Sequence, residues 1–397
     1  MTEQLKLKLN DSKATRWGAL VIVAFTMMAA YYVNDVVAPL KTMLETDLAW
    51  SSTDFGFFTG GYSFLNVFFL MLIWGGLILD RFGIRFTGKL ATILMVGGTA
   101  LEYYAMTGLA GTDATLFGIN EIFGYKTGVF VAFAGYSIFG VGAEVAGITV
   151  SKIIAKWFKG KELATAMGVQ VALARIGSQA GYAVAIPLAR AFGISTPVLL
   201  GLVLLLGGMI AFFVFTVMDK KLDKQMEAAA IAAGTEDEEE KFSFKDVKNI
   251  LVNPGFWLIA LLCVLFYSCV FPFQKFASEL MIIKYGINEN VAGTFAGLPA
   301  LGALILTPVF GGFIDKRGKS ASIMLLGSAM LICVHFIYAI PDINYWLVAI
   351  VLMIILGIAF SLVPSAMWPA VAKIFPVSQL GTAYALIFFI QNIGLWG

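Results

Sequence analysis

Long apolar runs constrain this chain more than any other feature of its sequence. About 20 apolar residues are enough to cross the hydrocarbon core of a bilayer as a helix, and eleven runs reach that length. They cover residues 17–40, 54–79, 86–109, 127–156, 163–189, 196–218, 256–283, 290–314, 320–340, 344–373 and 379–397. Charged residues make up only 13% of the 397 residues, roughly half the share in a soluble domain. The sequence therefore predicts an all-α polytopic membrane protein.

Basic residues indicate how these helices are oriented. They cluster at alternate ends of the runs, in the N-terminal segment and at residues 81–89, 152–161 and 316–319. Cytoplasmic loops of membrane proteins carry such an excess of Lys and Arg. The N-terminus and the polar segment 219–249 are therefore predicted to be cytoplasmic.

The polar segment divides the chain into its predicted parts. Residues 1–218 are expected to form a six-helix bundle, 219–249 a solvated linker with an acidic run at 236–240, and 250–397 a second bundle. The eleventh run reaches the last residue without a polar flank, and no twelfth run follows it. We therefore expect the second bundle to be truncated in or after its eleventh helix.

A loop motif occurs twice, once in each predicted bundle. The copies GLILDRFGIR and GGFIDKRGK contain Asp80 and Asp315, which lie 235 residues apart. The matched residues are Gly76, Asp80, Arg81, Gly83 and Arg85 in the first copy and Gly311, Asp315, Lys316, Gly318 and Lys319 in the second. A parallel repeat of six-helix halves is typical of secondary transporters that rock around a central site.

Two charges of opposite sign lie in the middle of the fourth and fifth runs. Glu144 precedes and Arg175 follows the basic turn at 159–161 by similar numbers of residues, which places each about 23 Å from the turn in an antiparallel hairpin. Ionised groups at this depth are costly unless they are paired or face a water-filled cavity. The two residues alone leave two interpretations open: a substrate site between them, or a clamp that only joins the helices.

Further polar side chains within the apolar runs need partners in a lipid environment. The candidates for the cavity are Asp35, Tyr32, Tyr62, Asn66, Gln179, Tyr267, Gln274, Lys275, Trp368, Gln391 and Asn392. Each either lines the cavity or ties helices together. Asp35 is equally compatible with the site, an outer gate or a helix cap, and Lys275 either faces the cavity or extends to the outer surface.

The duplicated loop resembles the signature loop of the major facilitator superfamily. This resemblance implies the fold of that superfamily, two six-helix bundles related by a parallel repeat, and a gating role for the matched residues. Asp80 is expected to accept hydrogen bonds from a neighbouring helix N-terminus and to pair with arginines. These contacts would latch the bundles together when the cavity opens outward.

Two longer stretches resemble one branch of this superfamily, which contains the lysosomal dipeptide uniporter and its bacterial relatives. They are FWLIALLCVLFYSCVFPF at 256–273 and the stretch 361–394, with Met-Trp-Pro at 367–369 and Gln-Leu-Gly-Thr-Ala-Tyr at 379–384. In that branch an acid on the fourth helix and an arginine on the fifth hold the two ends of a dipeptide. The resemblance implies these roles for Glu144 and Arg175. The N-terminal segment has no acidic dileucine sorting signal, so we expect a bacterial inner membrane.

Catalytic motifs do not accompany these features. HExxH, GxSxG and P-loop patterns are absent from the sequence, and a single histidine, His335, cannot form a metal cluster. We expect no enzyme, no cofactor and no metal site, and the net charge of +2 does not indicate nucleic-acid binding. The predicted function is a monomeric uniporter that moves short peptides across the lipid bilayer by alternating access; the sequence does not say whether it needs an accessory subunit. Two alternatives stay open: a proton-coupled carrier of organic anions or amino acids, and a membrane receptor or channel.

Overall fold

A computed structural model describes residues 8–111, 115–158, 161–233, 244–375 and 377–396. The side chains of some residues within helices, including Asp80 and Asp315, are outside the described part as well. The helices are α1 Lys13–Val36, α2 Lys41–Asp47, α3 Ser52–Phe68, α4 Met71–Thr107, α5 Thr127–Trp157, α6 Leu163–Phe192, α7 Thr196–Ala233, α8 Phe244–Val252, α9 Pro254–Ile283, α10 Glu289–Ala296, α11 Leu298–Arg317, α12 Ser320–Ala339, α13 Trp346–Ile374 and α14 Val377–Trp396. Short 3-10 turns lie at Leu9–Asp11 and Ala38–Leu40, and a small hairpin pairs β1 Glu121–Ile122 with β2 Tyr125–Lys126.

The apolar runs form helices, which confirms the prediction of an all-α membrane protein. Among the described residues, seven helices are long and apolar enough to cross a membrane, or eight if one bent pair is counted as a span. The bent pair is the second predicted span, which turns by 59° between Phe68 and Met71. The third and fifth predicted spans are helical but carry charges within their apolar stretch, Glu102 and Arg175 respectively.

Local chemistry explains where several helices begin. At the start of α3, the hydroxyl of Ser51 accepts from the Asp54 N–H at 3.1 Å, and the Asp54 carboxylate accepts from the Ser51 N–H at 2.9 Å. This reciprocal pair satisfies backbone donors that a helix start leaves free. α9 begins at Pro254, which has no N–H to satisfy, and Asn253 caps it through the Gly255 N–H.

Both copies of the duplicated loop contain a glycine in a conformation that favours glycine. Gly83 has φ +75° where the helical path of α4 breaks, and Gly318 has φ +67° at the end of α11. Residues with a Cβ rarely adopt this conformation. The matched glycines therefore meet the same backbone requirement in both halves of the chain.

Buried apolar residues form two large clusters. The first draws on residues 19–222, and the second lies almost entirely within residues 250–387. We call the parts of the chain before and after the predicted linker the first and the second half. Part of that linker, residues 234–243, lies outside the described residues.

The packing of α5 and α6 differs from the hairpin that the sequence predicted. α5 lies mainly against α3 and α4, whereas α6 lies mainly against α1. Glycines allow these alternative contacts, because a Cβ on Gly140 would lie 2.1 Å from the Tyr62 main-chain oxygen and one on Gly177 would lie 2.1 Å from that of Met28. Glu144 and Arg175 therefore project from helices that are held by different neighbours.

Candidate substrate site and outer gate

Glu144 lies on α5 one turn after the close contact of Gly140 with α3. That contact brings Tyr62 of α3 next to the carboxylate, and the Tyr62 hydroxyl donates a hydrogen bond to Oε1 at 3.0 Å. The Asn392 side chain of α14 also interacts with this carboxyl group. Glu144 as a whole residue is partly exposed, and the groups near its carboxylate, one from each half, are both neutral.

Arg175 lies on α6, close to the contact of Gly177 with α1. Its guanidinium carbon is 5.4 Å from the ring centre of Tyr31 in α1 and 5.0 Å from that of Phe360 in α13. Cations are attracted to the faces of aromatic rings at such distances. Within the described residues, no carboxylate forms an ion pair with this guanidinium. Arg175 is partly exposed.

The two central charges are therefore not joined in an ion pair. Glu144 contacts Tyr62 and Asn392, whereas Arg175 contacts Tyr31 and Phe360. In this conformation they do not form the direct helix clamp that was one interpretation of the sequence. The arrangement instead provides an acceptor and a donor of opposite charge for a ligand.

Four other predicted site residues lie on α9, α13 and α14 of the second half. The Tyr267 hydroxyl interacts with Trp368, and Trp368 stacks on Phe388 at 4.8 Å between ring centres. Gln391 accepts a weak hydrogen bond from the Cys263 thiol at 3.9 Å, and Asn392 reaches Glu144. Asn66 of α3 is fully buried, and its side-chain oxygen has no hydrogen-bond partner among the described residues.

The structure places other candidates at contacts between helices. Tyr32 is buried and donates to the main-chain oxygen of Pro197 at 3.2 Å, so it ties α1 to α7. Gln179 of α6 lies beside Gly297 in the second half. Gln274 is buried, and its main-chain oxygen accepts from the Tyr182 hydroxyl at 3.2 Å. Gln179 and Gln274 thus belong to the contact between the halves.

Asp35 and Lys275 also meet at this contact. The Lys275 ammonium of α9 lies 3.7 Å from the Asp35 carboxylate of α1. It also donates to the main-chain oxygen of Asn34 and to the Tyr136 hydroxyl, the latter at 3.0 Å. Asp35 and Lys275 therefore join the two halves, and which of the predicted roles each residue has stays a prediction.

We use the term outer end for the end that holds the residues between α1 and α3, in keeping with the predicted orientation. Ion pairs between the halves lie there. Lys41 of α2 is almost fully buried and pairs with Glu279 of α9, and Arg190 of α6 pairs with Glu289 and donates to Asn290 at 2.8 Å. We refer to these pairs, together with the Lys275 contacts, as the outer gate. These contacts join the two halves in this structure.

The duplicated loops lie at the opposite end, which we call the inner end. Arg85 pairs with Asp223 at 2.9 Å and lies 3.8 Å from the fully buried carboxylate of Asp219. Asp219 also accepts from Lys156 at 2.7 Å and from Trp157 at 3.0 Å. These contacts fasten the first loop to α5 and to the part of α7 that continues into the predicted linker. The side chains of Asp80 and of its counterpart Asp315 are outside the described part. The pairing of Asp80 with arginines therefore stays a prediction.

Sequence reasoning missed several residues of the site and the gate. In the sequence, Tyr31 and Phe360 look like ordinary aromatic residues of apolar runs. Only the folded chain brings them next to Arg175. Glu102 is different, since a charge within an apolar run is itself a signal of function. It is fully buried on α4, and neither of its carboxyl oxygens has a hydrogen-bond partner among the described residues.

Comparison with known proteins assigns the family. The sequence profile of the Major Facilitator Superfamily matches residues 20–395. The chain belongs to this superfamily. The lysosomal dipeptide transporter MFSD1 of Homo sapiens is 29% identical over 396 residues, covering 96% of this chain and 78% of that protein. The protein of the same name from Gallus gallus is 33% identical over 274 residues, covering 66% of this chain and 59% of that protein.

Solved transporters share the fold at low sequence identity. A bacterial homologue of the human lysosomal transporter Spinster, in an inward-facing and unoccupied conformation, matches with a TM-score of 0.67 at 14% identity, covering 96% of this chain and 80% of that chain. A D-xylose–proton symporter matches with a TM-score of 0.64 at 16% identity, covering 96% and 88%. The major facilitator fold is thus confirmed. The chain is a multi-pass membrane transport protein and not an enzyme.

Proposed function

We propose that this transporter moves short peptides by alternating access, and that Glu144 and Arg175 bind the two ends of the peptide. The observation that carries the proposal is that these partly exposed, opposite charges are not paired with one another in the described structure. An ion pair would satisfy both groups without a ligand. The relatives that are named dipeptide transporters point to the same class of substrate.

The chemistry of a dipeptide suits this arrangement. Its ammonium and carboxylate are separated by a little over two residues, roughly 7 Å at about 3.3–3.6 Å per residue. A carboxylate has about four lone-pair sites, so Glu144 can accept from an ammonium while it keeps the Tyr62 hydrogen bond. Contacts with ring faces use none of the N–H donors of Arg175, which remain available for a bidentate bond to a carboxylate.

This mode of binding implies broad specificity. Both proposed anchors recognise the charged ends that all dipeptides share. Side chains of any kind then project between the anchors into the cavity. We propose uniport as the transport mode, because a zwitterionic peptide neutralises both charges of the site and requires no co-transported ion to do so.

We propose that the conformation described here is the inward-open one. At the outer end, Lys41, Arg190 and Lys275 hold the halves together. At the inner end, Arg85, Lys156 and Trp157 make their contacts with Asp219 and Asp223 of α7. Closing the inner end and opening the outer gate would expose the same site to the other side of the membrane.

Transport by the purified protein in liposomes tests this function. Counterflow should be supported by dialanine and other free dipeptides, and only weakly by N-acetylated dipeptides, dipeptide amides, single amino acids and dicarboxylates. A pH gradient alone should not drive accumulation. Accumulation of dicarboxylates under a pH gradient, without dipeptide counterflow, would instead identify a proton-coupled anion carrier. Ligand binding without any counterflow would identify a receptor.

A further inference from the structure

Two tight turns lie between α4 and α5, and each has the sequence Phe-Gly at its centre. In the small hairpin, Phe123 and Gly124 join β1 to β2. Phe117 and Gly118 form a second two-residue turn, which is closed by an antiparallel bridge between the residues on either side. All four residues have positive φ, between +52° and +81°. We call residues 116–126 the outer hairpin segment.

Phenylalanine is an unusual residue at the first centre of such a turn. Two-residue turns in which both central residues have positive φ strongly prefer Asn-Gly, Asp-Gly or Gly-Gly. A bulky residue is strained at positive φ, yet Phe117 has φ +55° and Phe123 has φ +52°. Strain of this kind is concentrated at functional sites. We therefore expect the two phenylalanines to serve a purpose other than the formation of the turns.

The turns direct both rings away from the protein. Phe117 is 96% exposed and Phe123 is 88% exposed, the two highest values among the large apolar side chains that the structure describes. Ile119, which lies between the two turns, is half exposed. Exposed apolar patches mark contacts with a membrane or with another protein.

Hydrogen bonds hold the turns at the outer end of α5. The Thr127 hydroxyl donates to the main-chain oxygen of Ile119 at 2.8 Å, and the Thr127 N–H donates to that of Asn120 at 2.9 Å. Thr127 is the first residue of α5, a helix that is long and apolar enough to cross a membrane. Exposed Tyr104 and Trp346 lie at the outer ends of α4 and α13, where aromatic residues are enriched in membrane proteins. Both turns thus lie where α5 enters the bilayer.

Ring contacts continue from the hairpin onto the membrane-spanning helices. The ring centre of Phe123 lies 5.9 Å from that of Phe130, in the first turn of α5. Tyr125 stacks on Phe57 of α3 at 3.9 Å, and Phe57 stacks on Phe133 of α5 at 4.2 Å. The hairpin therefore folds down along the first turns of α3 and α5 instead of extending into the water. Its exposed rings continue an aromatic surface of helices that lie in lipid.

The charges of the segment favour lipid over a protein as the occupant of this surface. Within residues 115–126 the charged side chains are Glu121 and Lys126, which lie opposite each other in the strand pair. The Lys126 ammonium is also bound, because it donates to the main-chain oxygen of Ala49. The segment thus presents apolar rings without an unbalanced charge to select a charged partner. The boundary between lipid headgroups and acyl chains requires no such charge.

We propose that the outer hairpin segment is a membrane anchor, which inserts Phe117 and Phe123 into the outer leaflet at the boundary between headgroups and acyl chains. Phenylalanine is among the residues that interfacial segments bury at this depth. The positive-φ turns direct the rings outward, and lipid removes them from water. The anchor holds the outer ends of α3 and α5 against the leaflet. It belongs to the first half and does not depend on the transported substrate.

Spin labels on single cysteines measure the depth of both turns in the full chain. Phe117→Cys and Phe123→Cys are made one at a time in a background without the three native cysteines, and the protein is reconstituted in phosphatidylcholine vesicles. Accessibility to oxygen, which concentrates in lipid, is compared with accessibility to a water-soluble nickel chelate. Both labels should favour oxygen as strongly as a label on Val203, an exposed residue in the apolar part of α7. A label on Asp342, in the exposed loop before α13, should favour the nickel chelate.

A second measurement keeps the label away from the rings. The label is placed on exposed Asn120, between the two turns, and Phe117 and Phe123 are both replaced by Asn. Asn adopts positive φ more readily than Phe, so this change favours the turns while it removes the rings from the lipid. The Asn120 label should become more mobile in vesicles and more accessible to the nickel chelate. Glu121→Gln, which keeps both rings, should leave the label unchanged.

Three results would overturn the proposal. Labels at Phe117 and Phe123 as accessible to the nickel chelate as the label at Asp342 would place the turns in water. Labels shielded from both reagents would identify a protein surface there, such as a second copy of this chain. An unchanged Asn120 label in the double variant would show that the rings do not hold the segment. Since no readout involves the peptide, each result is independent of the proposed transport function.

Discussion

Glu144→Gln is the sharpest test of how the proposed site distinguishes the ends of a peptide. The substitution removes the charge but keeps an oxygen that accepts from the Tyr62 hydroxyl, which lies 3.0 Å from the carboxylate. The contact of Gly140 with α3 is unaffected, so the helices around the site should remain in place. What changes is the partner offered to a peptide ammonium.

The expected loss follows from the kind of bond that is removed. A hydrogen bond between charged groups contributes about 1.5–3 kcal/mol. At about 1.4 kcal/mol for each factor of ten, free dialanine should bind roughly 10- to 100-fold more weakly. N-acetyl-dialanine has no charge at that end, so its weaker binding should change less than about threefold by the same reasoning.

Binding is measured by ligand-induced thermal shifts and by calorimetry on the purified protein. Glu121→Gln, in the exposed hairpin, controls for the loss of one negative charge. Equal losses for the free and the acetylated peptide would refute the recognition of the ammonium by Glu144. If Glu144 only stabilises the bundle, the substitution should instead lower the melting temperature without preference for either ligand.

Three further predictions concern packing, the outer gate and the N-terminal segment. Gly177→Ala should destabilise the protein by about 1–3 kcal/mol, because its Cβ would lie 2.1 Å from a main-chain oxygen of α1; Gly168→Ala on the same helix meets open space and should leave the melting temperature unchanged or raise it. Lys41→Met removes a buried ion pair between the halves and should populate the outward-open state, seen as a longer distance between spin labels on α2 and α10; an unchanged distance would show that this pair does not hold the gate. The Lys161 ammonium lowers the pKa of Asp11, so their pair stabilises the docked N-terminal segment at neutral pH and is lost as the pH falls below about 4. Asp11→Asn should therefore increase proteolysis of this segment at pH 7 but make no difference at the acid end, and equal sensitivity at pH 7 would contradict the pairing.

Features that depend on local properties of the chain were accessible from the sequence alone. Hydropathy gave the membrane class and the helices, because a helix in lipid satisfies its own backbone and needs only a sufficiently long apolar run. The repeat predicted matched glycines, and Gly83 and Gly318 both adopt the positive φ that accounts for them. A charge in the middle of an apolar run is costly wherever the helix packs, which is why Glu144 and Arg175 could be selected before their neighbours were known.

The partners of these residues were decided only by the tertiary structure. Membrane helices are apolar on the faces that meet lipid and on those that meet other helices, so their sequence pattern contains little information about which side packs where. The expected pairing of α5 with α6 was therefore wrong, and Tyr31 and Phe360 could not be assigned to Arg175. Glu102 was visible as a charge, but its complete burial depends on the close crossing of α4 and α5 at Gly135. Such contacts join residues far apart in the chain, and only the packing of the helices brings them together.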